Sequence, residues 1–309
     1  MIRQGARFWF AIVLAGVVAY AASRAREPGK YRADANLVLV GATVVDGHNR
    51  VVRGLTQGDF RLFEDSAEQK IVSFSEEDLP VSVAIVFDIS GSMAGKLPGT
   101  RGALAALLQT SNPEDEYCLI SFGERPEIAV PWTRSDGEIL SRVLSTRSNG
   151  RTALLDAVAL GIEQLHRSRN ARRALVIFSD GGDNYSRITE NHLFRVLEET
   201  DVRVYAVDMR PWVDPALERA PEEIAGPNLL TELCDLAGGQ YFAPEGRPGV
   251  EKVADRIGKE LRSQYVLGYS PARLTNDGKL HRVQLKVVSQ GGGRKLSVYA
   301  RRGYRAPAE

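Results

Sequence analysis

Histidine and cysteine are scarce, with four of the first and two of the second in 309 residues. No histidine belongs to an HExxH and no CxxC or Cys/His cluster occurs, so zinc and thiol redox chemistry lack their ligands. His48 falls in a turn, His166 at a helix end, His192 in an early helical turn and His281 at a strand start. None is placed to activate a serine, and there is no GxSxG elbow or Walker loop. Gly-Gly-Gly at 291–293 reads as a hairpin turn, not a phosphate cradle. Enzyme machinery is therefore not visible. Cys118 sits in an apolar strand pattern (YCLISF) and Cys234 in a helical one (LLTELCDLA), so both read as small core residues, not as a disulfide. Net charge is also lacking: at +1 the molecule is not built around a polyanion such as nucleic acid.

What is present is the composition of a globular chain, 43% hydrophobic and 26% charged, with room for one large domain and one smaller one. Residues 1–22 read as an export signal. Arg3 and Arg7 precede an apolar stretch from Phe8 to Ala22 that is short for a membrane span, and Ala19-Tyr20-Ala21 makes an A-x-A cleavage pattern. Arg24 and Arg26 follow it, as they would for a retained anchor. The expected location is periplasmic or secreted, or membrane-anchored if the segment is not cleaved. No lipobox cysteine is present. Charge is uneven along the chain: Tyr31 to Pro80 carries five basic and nine acidic residues, and Glu251 to Glu309 thirteen and five. The basic end reads first as a solvated face and secondly as a contact with anionic lipid or polysaccharide at the envelope.

The hydrophobic pattern changes twice. Residues 31–78 contain short alternating runs (NLVLVGATVV, VVRGL, DFRLFED, QKIVSF), and residues 264–305 contain three more (SQYVLGYS, HRVQLKVV, KLSVYARRG) with TNDGK and SQGGG as turns. Between them, residues 81–245 alternate apolar strands with helical patterns, which predicts an α/β, doubly wound, mostly parallel six-stranded sheet. Strands are expected at 81–88, 117–122, 127–132, 174–180, 202–208 and 240–243. The best helices are expected at 101–111, 152–167, 189–199 and 228–237, with Thr189 and Asn228 as N-caps and Gly238 as a stop. GERPE is too short for a crossover, so the strand after it must be antiparallel.

Chemistry concentrates at the end of the first central strand. VSVAIVFDISGSM, residues 81–93, runs from apolar residues into Asp88, Ser90 and Ser92 around Gly91, so that one carboxylate and two hydroxyls can point at a small hard cation. Ser and Asp after a strand also serve as ordinary helix caps.

This string resembles the DxSxS motif that opens the metal-ion-dependent adhesion site of the von Willebrand factor type A family. The resemblance implies a threonine from a second loop, matched by Thr152 in NGRTALLDAV, and an aspartate after a later strand, matched by Asp180 in RALVIFSDGGDN. It also implies that the two flanks, whose ends come together away from the metal, join in one β-sandwich of about seven strands. The flanks and the closing QYVLGYSP and RRGYRAP are similar to those of exported von Willebrand A-related proteins abundant in Acidobacteria. Pro98-Gly99 departs from the pattern and should loosen the start of the first helix. Asp183 and Asn184 are expected as turn residues.

Three hydroxyls and two carboxylates suit Mg²⁺ or Mn²⁺. In the family the hydroxyls bind directly and the aspartates largely through water, which leaves a position for the Asp or Glu carboxylate of a protein partner. Lys96, Arg151 and Arg187 lie in the surrounding loops and are expected as a basic rim for an acidic segment. The expected function is thus metal-dependent protein binding. The alternatives are a metal-dependent hydrolase and a structural envelope protein whose metal stiffens loops.

Overall fold

A computed structural model of the chain describes residues 37–210, 221–271, 277–288 and 295–306. The expected export signal at 1–22 and the turn at 289–293 lie outside these residues, and the turn at 275–279 is within them from Asp277 onward.

The centre is a six-stranded sheet in the order β10-β9-β8-β5-β6-β7. Its strands are β5 (Val81–Asp88), β6 (Glu116–Phe122), β7 (Pro126–Thr133), β8 (Arg172–Ser179), β9 (Arg203–Asp208) and β10 (Tyr241–Phe242). All neighbours are parallel except β6 and β7, which pair antiparallel as the short connection requires. Every residue of β5, β6 and β9 is buried, because helices cover both faces. On one face lie α1 (Leu97–Leu108), α2 (Asp136–Ser145) and α6 (Gly246–Arg262), and on the other α3 (Leu154–His166), α4 (Glu190–Glu198) and α5 (Pro221–Ala237). Alternate residues of β5 feed the two cores: Val83, Ile85 and Phe87 face α1 and α6, while Ala84 and Val86 face α3. Each large apolar side chain so enclosed contributes about 1.5–3 kcal/mol.

Two helices were not foreseen. Helix α2 has Ser135 as N-cap, accepting the Glu138 amide, and buries Ile139 and Val143. Helix α6 packs against α1 and buries Val250, Ala254, Ile257 and Leu261, a spacing that puts all four on one face. Thr189 caps α4 as expected. Asn228 does not cap α5, which begins at Pro221 and carries Pro227 inside it; the Pro-Asn pair read as a start is interior. Gly238, at φ +72°, ends that helix. Pro98 does not loosen α1. It lies in the first turn, where its missing N–H has no helical partner to lose, and the helix starts earlier than expected, at Leu97.

The flanks form two four-stranded antiparallel sheets. One has the order β13-β1-β11-β4, from β1 (Val38–Val45), β4 (Ile71–Glu77), β11 (Gln264–Tyr269) and β13 (Ser297–Ala300). The other has the order β14-β12-β2-β3, from β2 (Phe60–Glu64), β3 (Ala67–Gln69), β12 (Leu280–Val287) and β14 (Gly303–Arg305). Val40, Val44, Phe60, Leu62, Tyr265 and Leu285 share one core between them, so the two sheets make a sandwich to which both flanks contribute. The run at 51–55 is not a strand. Val51 makes only an isolated bridge to Val45, and the chain turns away at Gly54, whose φ of +77° an extended strand does not tolerate. Strands β3 and β14, too short to show a pattern, take its place.

Candidate functional site

Strand β5 lies between β8 and β6, so its C-terminal end is the point from which the chain winds in two directions. Ligands bind at such ends in open α/β sheets. Asp88 is the last residue of β5, and Asp180 follows directly on β8, its neighbour. Both side chains are withdrawn from solvent, Asp88 at 0% and Asp180 at 1% exposure.

Three loops interlock around them. The first runs through Ser90 to a short 3₁₀ turn, Gly91–Met93. Asp88 Oδ1 accepts the Ser90 amide at 2.8 Å, and the Ser90 and Ser92 hydroxyls lie 3.1 Å apart. Ser90 is buried, whereas Ser92 is exposed. The second loop is held against the first by Gly91 N donating to Gly150 O at 3.0 Å and Asn149 N donating to Ile89 O at 2.7 Å. Gly150 has φ +82°, a conformation that a side chain would strain. The third loop is tied to the second through Thr152. Its amide donates to Asn184 Oδ1 at 3.0 Å, and its carbonyl accepts both Asn184 N and Tyr185 N at 3.0 Å. Thr152 is itself buried.

The structure therefore gathers all of Asp88, Ser90, Ser92, Thr152 and Asp180 at one end of the sheet. Asp183 and Asn184 do more than turn the chain. Asp183 Oδ1 accepts the Leu155 amide at 3.3 Å at the start of α3, so the two residues fasten the Asp180 loop to the Thr152 loop. Asp156 adds to this by accepting the amides of Arg187 and Ile188. Gly181 allows the turn after Asp180: its φ is +81°, and a Cβ there would lie 2.7 Å from the backbone of Gly226 in α5.

Two side chains that the motif did not disclose complete the electrostatics. Ser179 donates its hydroxyl to Asp88 Oδ2 at 2.6 Å and accepts the Gly181 amide at 3.0 Å. Lys96 is not displayed on a rim but turns inward, with Nζ 2.7 Å from Asp180 Oδ2 and a side chain only 12% exposed. This corrects its expected position, and the cause is the buried carboxylate, which draws the ammonium. The other two rim residues are exposed. Arg151 stacks its guanidinium 5.1 Å from the Tyr185 ring, and Arg187 offers its backbone to Asp156.

Burial first, and then the negative charge of Asp180, push the Asp88 carboxyl up to about 7. Two buried carboxylates with serine hydroxyls at hand are hard oxygen donors of the kind a divalent cation takes, and in this structure the Lys96 ammonium is the cation on Asp180. Among the described residues no group of three or more His, Cys, Asp or Glu side chains could hold a metal, so a cation here relies on hydroxyls for most of its ligands. Among the described residues, the hydrogen bonds around the five positions come from serine, lysine and asparagine side chains and backbone, none from histidine. Cys118 and Cys234 are free and buried, and burial pushes the Cys118 thiol up to about 12.

The family model of the von Willebrand factor type A domain matches residues 83–182, a stretch that contains all five positions. Inter alpha-trypsin inhibitor heavy chain 4 of Mus musculus is 31% identical over 140 residues, covering 39% of this chain and 15% of that protein. The chain thus spans a small part of that relative's length. An uncharacterized protein of Borreliella burgdorferi is 21% identical over 183 residues, covering 52% of this chain and 53% of its own. Among solved structures, the von Willebrand factor type A protein of Catenulispora acidiphila superposes with a TM-score of 0.50 at 14% identity, covering 87% of this chain and 73% of that one. That likeness is one of fold.

Proposed function

We propose that this chain, in which residues 83–182 form a von Willebrand factor type A domain, binds a protein partner through a divalent cation, Mg²⁺ or Mn²⁺. Asp88, Ser90, Ser92, Thr152 and Asp180 would hold the cation. The observation that carries this reading is the burial of Asp88 and Asp180 together at the ends of adjacent parallel strands, with the Ser90 amide donating to Asp88 and the Ser90 hydroxyl 3.1 Å from that of Ser92. A cation there supplies an electrophilic centre for a carboxylate of the partner. The chain's own residues do the rest: Ser179 orients Asp88, Asn184 and Asp183 fix the Thr152 loop, and exposed Arg151 and Arg187 favour an acidic segment.

Binding is favoured over hydrolysis because no histidine is among the hydrogen-bond partners described above and Lys96, the basic side chain that is, is engaged by Asp180. Export rests on the sequence of residues 1–22. Among the described residues no helix is long and apolar enough to cross a membrane. Contact of the basic stretch from Glu251 to Glu309 with an anionic envelope surface is the secondary reading, because Arg256, Arg262, Arg301 and Arg305 there are engaged in ion pairs within the protein.

The test is capture of a partner from an envelope extract in Mg²⁺ and in EDTA, followed by substitution of the partner's key Asp or Glu by Asn or Gln. Loss of capture in EDTA and loss of affinity in the amide variant are expected. An amide variant that binds as tightly and still needs the metal would show that the carboxylate is not the recognised group.

A further inference from the structure

Lys96 stands where helix chemistry does not call for a cation. It is the N-cap residue of α1, with no side-chain cap hydrogen bond and no acidic residue in the first turn, so its charge opposes the positive end of the helix. Its backbone is fixed: the amide donates to Met93 O at 2.9 Å, and the carbonyl accepts the Thr100 amide at 3.1 Å. What can change place is the side chain. Its ammonium donates to Asp180 Oδ2 at 2.7 Å, and among the described residues this is its one ion pair. The neighbouring chain is not packed over. Ala94 and Gly95 are exposed, and a Cβ added at Gly95 would meet nothing within 4 Å.

Formal charge decides where the ammonium belongs. With no divalent cation at the site, Lys96 balances Asp180, a carboxylate that is 1% exposed. A divalent cation balances Asp88 and Asp180 by itself. An ammonium kept 2.7 Å from Asp180 is then a surplus positive charge in a buried place, repelled by the cation and left with a carboxylate whose charge is already met. The carboxylate of an acidic partner adds a third negative charge. The ammonium is again the charge that balances it, now on the partner's side of the site.

We infer that Lys96 is a tethered counter-ion that leaves Asp180 when a divalent cation enters and then pairs with the carboxylate of the partner. This rests on the metal site proposed above. The inward position of Lys96 is the metal-free one. One residue thus weakens metal binding and strengthens the binding of an acidic segment to the metal-loaded form.

The full chain is acetylated with limiting N-acetoxysuccinimide in EDTA and in excess Mg²⁺, and modification of Lys96 is read by peptide mass spectrometry beside that of Lys279, whose side chain is 78% exposed. Lys96 should react about tenfold faster in Mg²⁺ than in EDTA, as the released position goes from a minor to the major population, while Lys279 stays unchanged. N-acetylated hexaglutamate added to the Mg²⁺ form should slow Lys96 again, and N-acetylated hexaglutamine should not. Equal rates with the two peptides would overturn the pairing with a carboxylate. Melting temperatures of the same samples report whether the cation is bound. A rise with Mg²⁺ while Lys96 keeps its rate would overturn the inference and leave the metal site standing; no rise and no change at Lys96 would remove both. Lys96→Gln should bind Mg²⁺ more tightly and hexaglutamate in Mg²⁺ more weakly, two shifts of opposite sign that loss of a merely structural contact does not produce. Shifts of the same sign would overturn the inference. The acetylation uses the wild type, so it decides the matter should Lys96→Gln fail to fold.

Discussion

Replacing Lys96 by Met separates the two charges that compete for Asp180. The ammonium sits 2.7 Å from a carboxylate oxygen, with the lysine 12% and the aspartate 1% exposed. Methionine keeps the apolar stem and removes the charge. Taking one partner from a buried pair leaves the other uncompensated, at a cost of about 3–5 kcal/mol, and the residual exposure of Lys96 argues for the lower figure. In EDTA the variant should therefore melt roughly 5 to 10 °C below the wild type. Magnesium should raise its melting temperature by more than it raises that of the wild type, because the cation then meets a carboxylate with no ammonium on it. Calorimetry of both proteins across a Mg²⁺ series reads both effects. If the variant is as stable as the wild type in EDTA, or if its response to Mg²⁺ is no larger, the reasoning about Lys96 is wrong.

Asp88 makes stability depend on pH. Its carboxyl is pushed up to about 7 in the fold from its ordinary value of 3.8, so the folded state binds the extra proton between those values. In EDTA stability should fall as pH rises from about 4 to about 7, by on the order of 4 kcal/mol; Asp88→Asn should flatten that dependence and abolish the response to Mg²⁺. Parallel pH profiles of wild type and variant, measured by urea unfolding, would refute the assignment. Deletion of residues 264–309 removes β11, which lies between β1 and β4, and exposes the inner faces of both sheets. The remainder should aggregate. A soluble, cooperatively unfolding 31–263 fragment would show that the N-terminal strands stand alone.

The central strands were legible because β5, β6, β8 and β9 each contain an apolar run bounded by polar turns, and all six lie within two residues of their expected positions. That the five positions expected to hold a cation come to one end of the sheet was legible for a related reason: each falls at a strand end or a helix start, a position that local pattern marks. Ser179 and Lys96 were not, since their partners lie 91 and 84 residues away along the chain. No local pattern tells a serine that orients an aspartate from one that ends a strand, or a lysine that turns inward from one that faces solvent. Helix α6 was hidden by Gly246, Pro248 and Gly249 at its start, although Val250, Ala254, Ile257 and Leu261 carry a helical spacing. In the sandwich, alternation identifies half-buried strands but not their order. That β11 lies between β1 and β4 is a matter of tertiary pairing, which alternation does not encode.

The central claim is that Asp88, Ser90, Ser92, Thr152 and Asp180 hold one divalent cation. Its most direct test is the change in melting temperature of the full chain on addition of Mg²⁺ or Mn²⁺, compared between wild type and Asp180→Ala. The account predicts a saturable rise in the wild type, by mass action on the folded state, and none in the variant. An equal rise in both proteins would place the metal elsewhere and contradict it.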